Sequence, residues 1–285
     1  MDAEFLAVRF EEHRPQLRAV AYRMLGSLSV ADDAVQEAWL RLSGSDADAI
    51  ENLGGWLTIV VGRVCLNMLR SRKREEPLSV HVPDPVITTD DGPGPEHEAL
   101  LADSVGLALL VVLETLAPAE RLAFVLHDLF SVPFEEVAEI VGRTPAAARQ
   151  LASRARRRVQ GASPAPDADL ARRREVVDAF LSAARGGDFD ALVAALDPEV
   201  VVRTDRGALR PGVILRGPHA VAEGATTFAR LAELVLPALV NGSPGAIGIV
   251  DGKPVSVAAF TARNGKIVAM DIIADPERLA RLLSA

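Results

Sequence analysis

The chain has 285 residues, 49% of them hydrophobic, and carries a formal net charge of −8. That length allows about two domains with cores that need no covalent staples, and a lone Cys65 excludes an intramolecular disulfide or multi-cysteine metal site. The N-terminal MDAEFLAVRFEEHR lacks the order of a signal peptide, and the longest apolar stretch, Val105 to Leu113, is too short to cross a bilayer; a cytoplasmic protein with no membrane partner is expected.

In chain order, Leu17, Val20, Ala21, Met24 and Leu25 follow helical spacing and Gly26 ends that first helix. A second helix is expected from Ser29, with Asp32 completing a capping box and Val35, Ala38, Trp39 and Leu42 buried. In a third, Leu57, Val61, Val64, Cys65 and Met68 form an apolar stripe, while Arg63, Asn67, Arg70 and Arg74 line another face. Glu75 to about His97 is a Pro/Gly-rich linker that cannot propagate helix or central strand.

From Glu98 the chain is helical again. Leu122, Val125, Leu126 and Leu129 make one stripe, and Phe134, Val137, Ala138 and Val141 make the next, closed by Gly142. Thr144 is a good N-cap, Pro145 suits the first helical position, and Ala148, Leu151, Ala152, Ala155 and Val159 bury one side of the following helix. Short helix, Gly turn, basic helix is the helix-turn-helix pattern. After a second linker ending near Asp169, helices precede β-rich runs at Val200–Arg203, Val213–Arg216, Ala246–Val250, Val255–Thr261 and Lys266–Ile273, with another helix over Ala220–Ala232. Helices followed by an antiparallel meander imply an α+β sheet curled around a cavity. The expected divisions are 1–74 and 98–161 for two all-α modules, 75–97 and 162–169 for linkers, and 170–285 for the α+β domain.

Taken alone, the acidic balance argues against a nucleic-acid partner, because phosphate contacts need Lys and Arg. The basic residues are nevertheless gathered: Arg63 to Arg74 and Arg143 to Gln160 contain no acid. Arg149, Gln150, Ser153, Arg154, Arg156 and Arg157 point away from the last helix's apolar stripe, and in a major groove Arg pairs with guanine and Gln with adenine. An arginine face without acids favours DNA contact over a merely solvated surface.

Three segments resemble bacterial RNA polymerase sigma factors of the extracytoplasmic-function (ECF) type. Asp32 to Leu42 (DDAVQEAWLRL) is similar to their polymerase-binding helix. Gly55-Trp56-Leu57 with Arg63, Asn67 and Arg70 to Arg74 resembles the segment that opens and reads the −10 promoter element, and Leu116 to Arg156 resembles the helix-turn-helix that reads the −35 element. The resemblance implies a sigma-2 helical bundle and a sigma-4 helix-turn-helix module, with polymerase core and promoter DNA as partners. By it, Asp33, Gln36, Glu37, Trp39 and Leu40 face the polymerase beta-prime clamp. Trp56, Arg63, Asn67, Arg70, Arg72, Lys73 and Arg74 face the −10 region. Arg143, Thr144, Arg149, Gln150, Ser153, Arg154, Arg156 and Arg157 face the −35 element.

The remainder resembles a SnoaL-like, or NTF2-like, domain, an extension that in one subgroup regulates the sigma factor in cis. Asp271 to Leu279 (DIIADPERL) resembles that subgroup's terminal motif. His81-Val82-Pro83-Asp84-Pro85 stands where it has a Trp-Leu-Pro-Glu-Pro linker motif, and Asp205-Arg206-Gly207 where it has a Gly-rich Asp motif. Asp205, His219 and Asp271 are candidate cavity or regulatory residues, in a cone that could take a small-molecule ligand. Five scattered histidines make no metal site, and no cofactor or catalytic residue is expected. Two other readings are a ligand-responsive helix-turn-helix repressor and an NTF2-like cyclase or isomerase with an appended DNA-binding region.

Overall fold

The computed structural model describes residues 3–46, 49–72, 80–88, 106–162, 167, 169–231 and 234–283, and the chain divides into two compact units. The first unit, Met1–Glu76 with Val112–Ala162, takes in the stretch expected as 1–74 and the part of 98–161 from residue 112 on, while residues 98–111 fall in the second unit. Helices α1 (Ala3–Leu25), α2 (Leu28–Ser43) and α3 (Leu53–Arg72) pack around Phe10, Leu17, Tyr22, Met24, Val35, Leu42, Leu57 and Val61. Gly26 ends α1 at a φ of 72°. The capping box at Ser29 does not form. The N-cap is Ser27, and Asp32 instead takes a forked ion pair from Arg18, at 2.7 and 3.2 Å.

Helix α4 spans Leu107–Glu114, and α5 (Pro118–Phe124) runs into a π-helical turn at Val125–Leu129. Helices α6 (Phe134–Val141) and α7 (Pro145–Ala162) flank the left-handed Gly142, whose φ of 67° suits a residue without Cβ. The two helical groups also touch each other. Gly62 on α3 lies under Leu126 and Ile140, where a Cβ would come within 3.3 Å of Ile140. Buried Arg121 of α5 donates to the Met24 carbonyl at 2.8 Å.

The second unit, Pro77–Val111 with Ser163–Ala285, contains a seven-stranded sheet in the order β1-β4-β5-β6-β7-β2-β3. Its strands are β1 (Ile87–Thr88), β2 (Leu196–Asp205), β3 (Val213–Arg216), β4 (Leu234–Val240), β5 (Ser243–Val250), β6 (Lys253–Arg263) and β7 (Lys266–Ile273). Helices α8 (Leu170–Gly186), α9 (Phe189–Ala195) and α10 (Pro218–Leu231) share a core with it, formed by Val177, Phe180, Leu192, Val202, Phe260 and Met270 among others. A final helix, α11, spans Pro276–Leu283. This is the expected α+β arrangement of helices on one sheet.

Three details differ from the sequence expectation. The sheet is mixed, because β2 and β7 pair in parallel, a long-range closure that local pattern does not encode. Strand β4 was missed because Pro237 argues against a strand. It is tolerated because β1 pairs with β4 only at Leu239 and Val240, leaving the other edge beside Pro237 without a ladder partner among the described residues. Finally, β1 itself lies in the segment read as a plain linker.

Candidate nucleic-acid and polymerase interfaces

On α2, Asp33, Gln36 and Leu40 are exposed, while Glu37 is half-buried and accepts from Arg41 at 3.0 Å. Trp39 is half-buried with its ring 5.0 Å from that of Phe10, so it belongs partly to the bundle core. An open groove of about 640 Å³ runs between α2 and α3, lined by Val30, Asp33, Glu37, Arg41, Asn67 and Met68 among others. Residues assigned to polymerase and to the −10 region thus share one wall-to-wall depression.

Apolar side chains pack α3 inward and leave Arg63, Asn67 and Arg70 exposed in one row. Trp56 is half-buried near the helix start, where the Asn52 side chain caps Gly55 N–H at 3.0 Å; Asn52 was not singled out in the sequence. Arg63 is not a free cation: its Nη2 lies 2.7 Å from Glu139 Oε1 on α6. The Arg72 side chain, Lys73 and Arg74 lie outside the described residues.

On α7, Thr144 Oγ1 accepts from Ala147 N–H at 3.3 Å, the expected N-cap. Arg143, Arg149, Gln150, Arg154 and Arg157 are exposed, and Ser153 and Arg156 are half-buried. The acid-free face is a property of the helix sequence and not of its surroundings. Neighbouring segments supply carboxylates: Glu135 to Arg149 at 3.2 Å, Asp128 to Arg156 at 2.5 Å, and Glu120 to Arg158 at 2.9 Å and Arg154 at 3.9 Å. Glu120 is buried, so two guanidiniums compensate a charge that would otherwise be costly. Sequence reasoning missed Glu120 and Arg158, because their partnership spans 38 residues.

In the second unit the three motif segments converge on Arg278. Its Nη1 donates to Asp205 Oδ2 at 2.6 Å, its Nη2 to the Val82 carbonyl and to Asp84 Oδ1, both at 2.6 Å, and its Nε to Asp84 Oδ1 at 2.8 Å. Asp205 also accepts from Val82 N–H and Gly207 N–H, each at 2.9 Å, and lies 3.3 Å from His81 Nδ1. Asn241 brackets Val86, accepting from its N–H at 2.7 Å and donating backbone N–H to its carbonyl at 2.8 Å. Val82, Pro83, Pro85 and Val86 are buried. Gly212 packs so closely against Val80 that a Cβ there would overlap it. Residues 80–86 of the linker are therefore clamped into the domain.

Asp271 and His219 do not join Asp205. Met270 and Ile272 face the helix-covered core, so Asp271 projects from the opposite side of β7, where it accepts from Arg203 at 3.1 Å. His219 is exposed, its ring 6.1 Å from that of Phe189. Alternation along β7 and the exposed start of α10 keep the three apart.

Burial pushes the Asp205 carboxyl up, but hydrogen bonds from His81, Val82 and Gly207 with the Arg278 charge outweigh it and hold it well below the usual range. Burial raises Asp271, and Arg203 offsets only part of the rise. A depressed folded pKa stabilises the protein above the unfolded carboxylate pKa and loses that stabilisation as pH falls. The stability difference between wild type and Asp205→Asn should hold steady from pH 7 to 5 and shrink below about pH 4. Calorimetric unfolding across that range checks this, and a difference that grows on acidification would contradict it.

The family model Sigma-70 region 2 matches residues 9–75, and Sigma-70, region 4 matches residues 106–159. The chain is 40% identical over 289 residues to the ECF RNA polymerase sigma factor SigJ of Mycobacterium tuberculosis, covering 94% of this chain and 91% of the relative. It is 34% identical over 280 residues to the probable ECF RNA polymerase sigma factor SigI of the same species, covering 96% and 94%. The crystal structure of M. tuberculosis SigJ aligns with a TM-score of 0.77 at 37% identity, over 96% of this chain and 98% of that one. These relatives run through the C-terminal domain and are sigma factors, which sets aside the repressor and cyclase readings. With both sigma regions in order on a fold shared along nearly its whole length, the chain belongs to the ECF RNA polymerase sigma factors.

Proposed function

We propose that α2 docks on the polymerase core through Asp33, Gln36, Glu37, Trp39 and Leu40, that α3 meets the −10 region, and that α7 enters the −35 major groove. The chain would act in the cytoplasm, where the core enzyme is. Arg149, Gln150, Ser153, Arg154 and Arg157 all lie away from the buried stripe of α7, a set that suits both base reading and phosphate contacts. Arg156 is half-buried beside Asp128 and serves to fix the helix.

We further propose that the described first unit is a resting form. Promoter elements centred at −35 and −10 are roughly 85 Å apart along B-form DNA. In this unit a residue of the −10 helix is 2.7 Å from the helix preceding the −35 reader, and α3 and α7 are each only about 30 Å long. Both elements cannot be read at once from this arrangement, so the two helical groups must part. The segment joining them is the one that Arg278 clamps, and this single observation supports control in cis by the C-terminal domain. No ligand need be invoked. Phe228 occupies the space beside Gly248 on the helix side of the sheet, where a Cβ would overlap the ring.

Transcription from a cognate promoter with purified core polymerase tests the assignment. Gln150→Ala should weaken −35 recognition by about 1–3 kcal/mol at one base while core binding stays unchanged. Failure of the wild-type chain to co-purify with core, or an unchanged affinity for every −35 variant, would overturn it.

A further inference from the structure

We propose that Phe134 and His127 are positioning residues that hold the Arg149 guanidinium ready for one base of the −35 element. The proposal rests on the reading of α7 as the −35 helix and goes beyond it, because neither residue is on α7.

The pedestal begins with the π-helical turn. It spans Val125–Leu129 directly after α5, and such turns recur at functional sites. In this turn His127 faces the start of α6. Its Nδ1 lies 2.9 Å from the Val132 carbonyl, an atom that only accepts, so Nδ1 carries the proton. Ser131 N–H donates to the His127 carbonyl at 3.1 Å, and Val132 N–H donates to the Leu126 carbonyl at 2.9 Å. The imidazole is thus tied to its own loop.

The same imidazole stacks on the Phe134 ring with centroids 3.6 Å apart and planes 27° apart. Arg149 Cζ lies over the Phe134 ring, 5.4 Å from its centroid, while Nη2 reaches Glu135 Oε1 at 3.2 Å. Arg149 is therefore steered by two consecutive residues of α6, a ring beneath it and a carboxylate beside it, although its side chain is still 57% exposed. Two fixed directions restrain a planar fork that would otherwise sample many rotamers, and they leave donors free for a base edge. An arginine ordered before binding loses less entropy on contact, and its geometry discriminates more sharply.

Full-length variants assembled with core polymerase and assayed on promoters substituted singly across the −35 element test this. Phe134→Leu keeps an apolar contact but removes the ring. It should lower preference at the base that Arg149 reads by about 3- to 10-fold, with Phe134→Tyr retaining it and His127→Gln giving a smaller loss in the same direction. In an Arg149→Ala background, Phe134→Leu should change preference at that base no further. An unaltered base profile in Phe134→Leu and His127→Gln, or an additive loss in the double variant, overturns the pedestal while leaving Arg149 as a DNA contact. No effect of Arg149→Ala at any −35 base overturns both the pedestal and that contact, which separates the two failures.

Discussion

Arg278→Met is expected to destabilise the second unit by about 3–5 kcal/mol, the largest effect of any single substitution considered, because it strips a buried carboxylate of its counter-charge. The Asp205 side chain is 4% exposed, and Arg278 also holds Asp84 and the Val82 carbonyl. Met fills much of the volume of the arginine stem but offers none of its donors. The loss should therefore appear as an earlier unfolding transition and as release of the linker. Both tryptophans and the single tyrosine lie in the first unit, so their fluorescence should stay nearly constant while far-UV circular dichroism reports the early transition. Adding Asp205→Asn should recover part of the loss, since the most deeply buried carboxylate is then gone, while Asp84, its side chain 24% exposed, keeps access to water. Equal denaturation midpoints for Arg278→Met and wild type would refute the clamp.

The second large effect concerns separation of the helical groups. Joining Arg63→Cys to Glu139→Cys with a short bismaleimide should cut promoter-dependent initiation at least roughly tenfold relative to the same variant left unlinked, because a tethered pair cannot occupy both promoter elements. The native Cys65 does not interfere: it is fully buried, and burial pushes its thiol pKa up to about 12, so it offers negligible thiolate. Comparing linked with unlinked protein also cancels the loss of Arg63 itself. Equal initiation by the two forms would show that the closed pair is compatible with transcription. The ion pair on its own contributes little, since both side chains are well exposed, and Gly62 beneath Ile140 and Leu126 makes the closer apposition.

The pattern of legible and illegible features follows from the range of the interactions. Helices α3 and α7 were readable because apolar spacing and caps act within four residues: Thr144, Pro145 and Gly142 stand where the expectation put them. Asp32 was misread because a local capping pattern lost to Arg18, which is 14 residues away. Likewise, the arginine face of α7 looked free of acid because Glu120, Asp128 and Glu135 come from other segments.

Net charge and local charge divide in the same way. A net charge of −8 counts acids wherever they fall, whereas a nucleic-acid interface depends on the few cations within a screening length of roughly 10 Å. By itself the sequence determined the helical modules, the basic helices and their family, since periodicity, capping and motif order are one-dimensional properties. Only the tertiary structure decided which arginines are already partnered, that β2 runs parallel to β7, that part of a Pro-rich linker becomes strand β1 on β4, and that Arg278 holds the residues just before it. Each of those outcomes depends on groups brought together across tens to hundreds of residues, and their pairing energy exists only once the chain has closed those loops.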